Sequence, residues 1–214
     1  MASGETLTVV ELYTSQGCSS CPAADAYLGR LVKRSDILPL SFHVDYWDYI
    51  GWKDPFADPR HTKRQRRFAT QFSQRYVYTP QMIIHGAYQV AGSKPSAVEA
   101  AIDKSKALPS VTLTLTRTGD AFEIQIPAST VHRNIKVISV FFDTKHLTDI
   151  RRGENSGQKI ANYNVVRDFT QIGTWDGKAR TIAFKNEHQV GDSCAVLLQS
   201  AATGQIIGAA QLRP

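Results

Sequence analysis

Apolar positions along the first hundred residues switch between two periods. Residues 6–13 (TLTVVELY) form a short run rich in β-branched and aromatic side chains, and predict a buried strand. Residues 18–34 then read as a helix. Ala23, Ala24, Ala26, Leu28, Leu31 and Val32 supply helix formers and an apolar face, and Pro22 fits only in the first turn. Residues 38–44 predict a second strand. Residues 45–59 carry no period but hold five aromatics, Tyr46, Trp47, Tyr49, Trp52 and Phe56. A second helix is expected over 60–76, where Phe68, Ala69, Phe72 and Tyr76 recur at three- and four-residue spacing. Residues 81–85 and 88–91 predict a hairpin across Gly86. A third helix is expected over 96–107, with Ser93 or Ser96 as its N-cap.

Beyond Pro109 the period becomes two. Val111, Leu113 and Leu115 alternate with threonines, and Phe122, Ile124 and Ile126 alternate with Glu123 and Gln125. Further strand-like runs cover 135–142, 164–172, 180–184, 194–200 and 205–211. Short strands at regular spacing without intervening helices predict a β sandwich. The expectation is a mixed α/β domain over 5–108, a boundary at 106–110, and a β-rich, sandwich-like domain of unknown role over 109–214.

Composition narrows the function classes. The chain has 214 residues, 42% hydrophobic and 21% charged, which is globular rather than disordered. No apolar run reaches the roughly 18 to 20 residues of a membrane helix, so no membrane span is expected. Net charge is +6. Part of it is clustered, since Arg60, Lys63, Arg64, Arg66, Arg67 and Arg75 lie close together. The ordinary account is the solvated face of a helix. Binding of an anionic polymer is a weak alternative, and without a finger, RNA-binding or phosphate-loop motif no nucleic acid is expected as a partner. The first five residues show neither a basic n-region nor an apolar leader core. The protein is then cytoplasmic, or its leader has been removed.

Three cysteines, Cys18, Cys21 and Cys194, are too few for a disulfide scaffold or a four-cysteine zinc site. Two of them form a CxxC, Cys18-Ser19-Ser20-Cys21, between a predicted strand and a predicted helix. At a helix N-terminus, free amides and the dipole stabilise a thiolate. Cys18, at the solvent side, is the candidate nucleophile. Cys21, one turn inward, resolves a mixed disulfide by attacking Cys18. Ser19 and Ser20 offer donors to the thiolate. Half of a zinc site is the competing account, but no second CxxC or HxxxH supplies the missing ligands. Copper(I) on two thiolates is chemically allowed and needs a helper such as His43, His61 or His85. No metal or cofactor beyond the redox pair is expected.

With strand, CxxC at a helix start, strand, helix and Thr79-Pro80 entering a hairpin, the layout resembles the thioredoxin superfamily. The resemblance implies a cis Pro80 against the dithiol, Thr79 contacting the reactive sulfur, and Gly86 as the hairpin glycine. ELYTSQGCSSCP, FHVDYWDYIGWKDPF, YTPQM and RRGEN followed by NVVR are also similar to an uncharacterised bacterial family of predicted exported proteins with a thioredoxin-like domain. That similarity implies a periplasmic or secreted location and names no substrate. The fold it implies is a thioredoxin-like domain, a central mixed sheet flanked by helices, followed by the β sandwich. Three positions depart from thioredoxin. Gly17 replaces an aromatic residue, which opens the surface around Cys18. Ser-Ser replaces Gly-Pro between the cysteines. Leu12 stands at the buried-acid position, with Glu11 one residue further back. Glu11 is the candidate proton acceptor for Cys21, or else turns to a polar neighbour on the other face.

The leading expectation is therefore a thiol–disulfide oxidoreductase acting on protein thiols or disulfides. Cys18, Cys21 and Glu11 are its catalytic candidates, and Gly17, Ser19, Ser20, Trp47, Thr79 and Pro80 its substrate-binding ones. The alternative is a non-catalytic binding module with a static disulfide or a copper(I) site. Two further groups stand out. The aromatic stretch around Trp47 is a platform for a protein substrate, or an insertion packed on its own sheet. Arg151, Arg152, Glu154, Asn155, Asn162, Asn164 and Arg167 form a second site, or a polar network pinning two regions together. Cys194, in the apolar run Ala195-Val196-Leu197-Leu198, reads as a small buried hydrophobe.

Overall fold

Strand β1 (Thr8–Thr14) is buried along its whole length and divides its side chains between two cores. Alternation sends Val9 and Tyr13 to one face and Val10 and Leu12 to the other. In the computed structural model, residues 6–130 and 134–214 are described, so Met1–Glu5, read above for a leader, lie outside the described residues. Helix α1 (Pro22–Leu31) and helix α3 (Pro95–Ser105) cover the Val10 face, where Leu28, Leu31, Val98 and Ile102 pack. Helix α2 (Pro59–Gln71) covers the other face through Phe68. Each helix has proline in its first turn, where a missing N–H costs nothing. Asp58 caps α2 by accepting from the Arg60 amide at 2.7 Å. The N-cap of α3 is Lys94 rather than either serine expected.

Strand β2 (Ile37–His43) runs parallel to β1. Strand β3 (Gln81–Ile84) is antiparallel to β1 and pairs with β4 (Tyr88–Ala91). The remaining strands are β5 (Thr114–Thr118), β6 (Ala121–Ile126), β7 (Ile135–Asp149), β8 (Lys159–Trp175), β9 (Arg180–Lys185), β10 (Ser193–Ser200) and β11 (Ile206–Leu212).

The expected thioredoxin-like α/β unit followed by a separate β sandwich is not what forms. The protein is mostly β, with three short helices among the described residues. Strands from both sides of residue 109 share one mixed eight-stranded sheet, ordered β11-β10-β7-β8-β2-β1-β3-β4. Only β5, β6 and β9 form a second sheet, three strands wide. The physical reason lies in β2 and β8. A strand paired on one edge alone leaves a row of unmet amides and carbonyls, and β8 meets that edge of β2 at Ser41 and Val165. Pro39 has no N–H to give. Its carbonyl is satisfied by Asn164, at φ 46°, which donates its side-chain amide at 2.7 Å. One core is consequently common to both halves. Val9, Leu40 and Phe42 pack with Val140, Phe142, Val166 and Leu197. The three-stranded sheet closes a different core, with Leu115, Phe122 and Ile124 against Phe141, Val196 and Ile207.

Candidate functional site

The loop between β1 and α1 turns tightly on itself before the helix starts. The Cys18 amide donates to the Ser15 carbonyl at 3.1 Å, and the Cys21 amide to the Cys18 carbonyl at 3.2 Å. This brings Cys18 and Cys21 to a Cα separation of 5.4 Å, and the two are joined by a disulfide. Cys21 is the N-cap of α1 and is fully buried, while Cys18 retains 2% exposure and borders the exposed Ser19 and Ser20.

Polar hydrogens are directed at one sulfur. The Thr79 hydroxyl donates to Cys18 Sγ at 3.2 Å, and Ser20 Oγ lies 3.3 Å from the same atom. Trp47 Nε1 donates to Thr79 Oγ1 at 2.7 Å and so fixes that hydroxyl from behind. The Thr79–Pro80 bond is cis. A side chain at Gly17 would press on the Trp47 carbonyl, so glycine lets the Trp47 segment pack closely on the cysteine loop, and the position is buried rather than open. Cys18, Ser20, Trp47, Thr79, Pro80 and Gly17 are thus brought together, whereas Ser19 faces solvent.

Glu11 does not join them. It projects to the α2 face of β1, where it accepts from Arg64 at 2.7 Å through both oxygens and from the Tyr13 hydroxyl at 2.8 Å. Strand parity decides this, because Leu12 and not Glu11 lies on the α1 face. Burial, then the Glu11 charge, holds the Tyr13 hydroxyl well above its ordinary pKa.

The acid on the α1 face is Asp25, which the sequence reading passed over. It sits on the turn of α1 after Cys21, is 3% exposed, and accepts from Thr14 Oγ1 at 3.1 Å. Burial raises its pKa to about 7, against the downward pull of His43 and Thr14. His43 and Asp54 stand in the same buried region. His43 Nδ1 lies 2.7 Å from Asp54 Oδ2, which also accepts from the Gln16 amide at 2.8 Å. Burial alone would lower the His43 pKa, but the charge of Asp54, its hydrogen bond and the charge of Asp25 carry it above the ordinary value. The one available signal was spacing. An Asp four residues after Cys21 lies on the same helical face.

The polar segment of the second half pins the cysteine loop. Asn155 Nδ2 donates to the carbonyls of Gln16 at 2.9 Å and Cys18 at 3.0 Å. Gln16 Nε2 reaches Asn162 at 2.9 Å and Thr148 at 3.0 Å, while Trp52 Nε1 donates to Gln16 Oε1. The aromatic stretch is divided. Tyr46 and Trp47 pack on the shared core, and Tyr49 is 80% exposed.

Among the described residues no group of three or more His, Cys, Asp or Glu side chains is placed to hold a metal ion. His61 Nδ1 is engaged by the His43 carbonyl, and His85 Nδ1 by the Val9 amide. Burial pushes the Cys194 thiol up to about 12, which leaves it inert. Cavities of about 610 and 630 Å³ open elsewhere, the first around Arg117 and Cys194 and the second around Arg67 and Lys136. Neither is lined by Cys18 or Cys21. Among the described residues no helix is long and apolar enough to cross a membrane.

No curated protein matches the chain. Among solved structures, a crystal structure of an Agrobacterium tumefaciens protein superposes with a TM-score of 0.87 at 33% identity, covering 99% of this chain and 96% of that one. HBP35 of Porphyromonas gingivalis superposes with a TM-score of 0.65 at 14% identity, covering 99% of this chain and 76% of that one, and shares the fold alone. The model of a protein family of unknown function, DUF1223, matches residues 9–199. The chain belongs to the DUF1223 family.

Proposed function

We propose that this protein is a thiol–disulfide oxidoreductase that exchanges disulfides with protein thiols through Cys18 and Cys21. The observation that carries the reading is the asymmetry of the pair. One sulfur is sealed at the helix N-cap, and the other receives the Thr79 and Ser20 hydroxyls at the rim of the site. Donors aimed at Cys18 Sγ favour it as the leaving and attacking thiolate. The sealed Cys21 is protected from outside reagents and attacks only its neighbour. The substrate of this reading is a polypeptide that docks on the surface, since the cavities of about 610 and 630 Å³ are lined by residues other than Cys18 and Cys21. Ser19, Ser20, Trp47 and Thr79 form its landing site, with Gly17 and Pro80 buried beneath them.

Protein disulfides persist in oxidising compartments, so the reading includes an exported, periplasmic protein. Cell fractionation that recovers it only from the cytosol would remove this part. The exchange reading is tested by equilibrating the protein with glutathione buffers and counting thiols, alongside reduction of an insulin-type substrate. Reversible cycling that Cys18→Ser abolishes is expected. A pair that never cycles, or exchange untouched by Cys18→Ser, would defeat it.

A further inference from the structure

The exchange reading leaves one group of side chains without a role. Asp25, His43 and Asp54 are buried behind the dithiol on three different elements. Each is costly there, since a charge removed from water is kept only by close partners. The partners are incomplete. Asp25 Oδ1 and His43 Nε2 are both buried without a hydrogen bond of 3.5 Å or less, although the Asn162 side chain stands near enough to favour the Asp25 carboxylate. Each nevertheless feels the other's charge. His43 is held on one side by Asp54 at 2.7 Å, and the charges of Asp54 and Asp25 both favour its protonated form. Asp25 in turn lies one helical turn from Cys21, its amide donating to the Cys21 carbonyl at 3.0 Å. Side chains four apart on a helix are neighbours, with Cβ atoms roughly 5–6 Å apart.

We propose that Asp25, His43 and Asp54 form the proton store of the redox centre, in which Asp25 takes up the Cys21 proton and the His43–Asp54 pair holds the balancing charge. The inference rests on the exchange reading. In the direction that reduces a substrate disulfide RS–SR, Cys18 thiolate attacks one sulfur, forms Cys18–S–S–R and releases RS⁻. Cys21–SH then passes its proton to the Asp25 carboxylate. The Cys21 thiolate attacks Cys18 Sγ, the Cys18–Cys21 bond forms, the Cys18–SR bond breaks, and the second RS⁻ leaves. The dithiol loses two electrons and the substrate gains them. Both RS⁻ groups take protons from solvent, and Asp25 later returns its own. Cys21 is sealed from water, so it needs an internal acceptor. The groups facing Asp25 are His43 from β2, Thr14 from β1, Asn162 from β8 and Asp54 from the loop before α2; Arg167, from β8, opposes the imidazolium. Burial holds the Asp25 pKa at about 7, where a carboxylate accepts and returns a proton with little bias.

The test mixes the reduced full-length protein with an aromatic disulfide whose thiolate is coloured. Attack by Cys18 releases one thiolate and resolution by Cys21 releases a second. The rate of the second release is followed from pH 5.5 to 9. In the unaltered protein it should rise through an inflection near pH 7. Asp25→Asn should slow it by about 100-fold, the ordinary scale of lost acid–base help, and erase the inflection. Asp25→Glu should restore the inflection. His43→Asn removes the positive charge that lowers the Asp25 pKa, and should move the inflection to higher pH. An Asp25→Asn protein with unaltered rate and inflection overturns the proton store while leaving exchange intact. A wild-type protein that never releases the second thiolate overturns exchange and the proton store together.

Discussion

At the scale of single residues, the most informative energy is the cost of ionising Asp25. Its carboxyl titrates near 7 in the fold and near the ordinary carboxylate value, about 3.9, in the unfolded chain. A group whose folded pKa is raised contributes stability that is fully present below the unfolded pKa and lost as pH rises through the folded one. The window is therefore about pH 4 to 7, with the loss complete above it. Asp25→Asn should stabilise the protein at pH 8, by a shift on the order of a few kcal/mol, and leave it little changed at pH 4. Denaturant melts at the two pH values measure this. Destabilisation at pH 8 would show that the carboxylate is needed for packing.

At the scale of elements, α2 shows how a basic helix is built into the core. Most of its positive side chains face solvent, as the amphipathic pattern implied. Arg64 does not. It is buried between β1 and β10, bidentate to Glu11 and donating to Gln199 at 3.0 Å. Its guanidinium also stands 5.3 Å above Phe68 and 5.6 Å above Phe42. Removing one partner of a buried pair strands the other charge. Arg64→Leu should cost about 3–5 kcal/mol. Arg64→Leu combined with Glu11→Leu should cost less than Arg64→Leu alone, and a double-mutant cycle by urea melts checks both statements. Equal costs for the single and double variants would mean that Glu11 finds another partner.

At the scale of the whole molecule, the shared core makes the two halves depend on each other. Residues 1–108 alone would expose Leu40, Phe42 and the open edge of β2 to water. That fragment should fail to give a cooperative thermal transition by circular dichroism. A sharp transition in the fragment would show that the first seven elements close their own core. Much of the molecule was already written in the order of the residues. The periods of 6–13, 60–76 and 121–126 place strands and helices within a few positions of where they stand. The spacing of Cys18 and Cys21 at the start of a helix puts the two sulfurs within disulfide reach. These features are local, set by side-chain alternation, proline and the geometry of one helical turn. Strand partnership is not local, and it was here that the expectation of two separate folds failed. Nothing in the strand-like run of 164–172 says that it will lie beside β2, because a half-buried strand pairs equally well with several edges until one is left open. The same holds for the site. Parity alone puts Glu11 and Leu12 on opposite faces, but which face receives α1 is settled by packing. The tertiary structure therefore decided which acid lies on the α1 face behind Cys21, that Asn155 from the far half clamps the cysteine loop, and that His43 and Asp54 meet behind it.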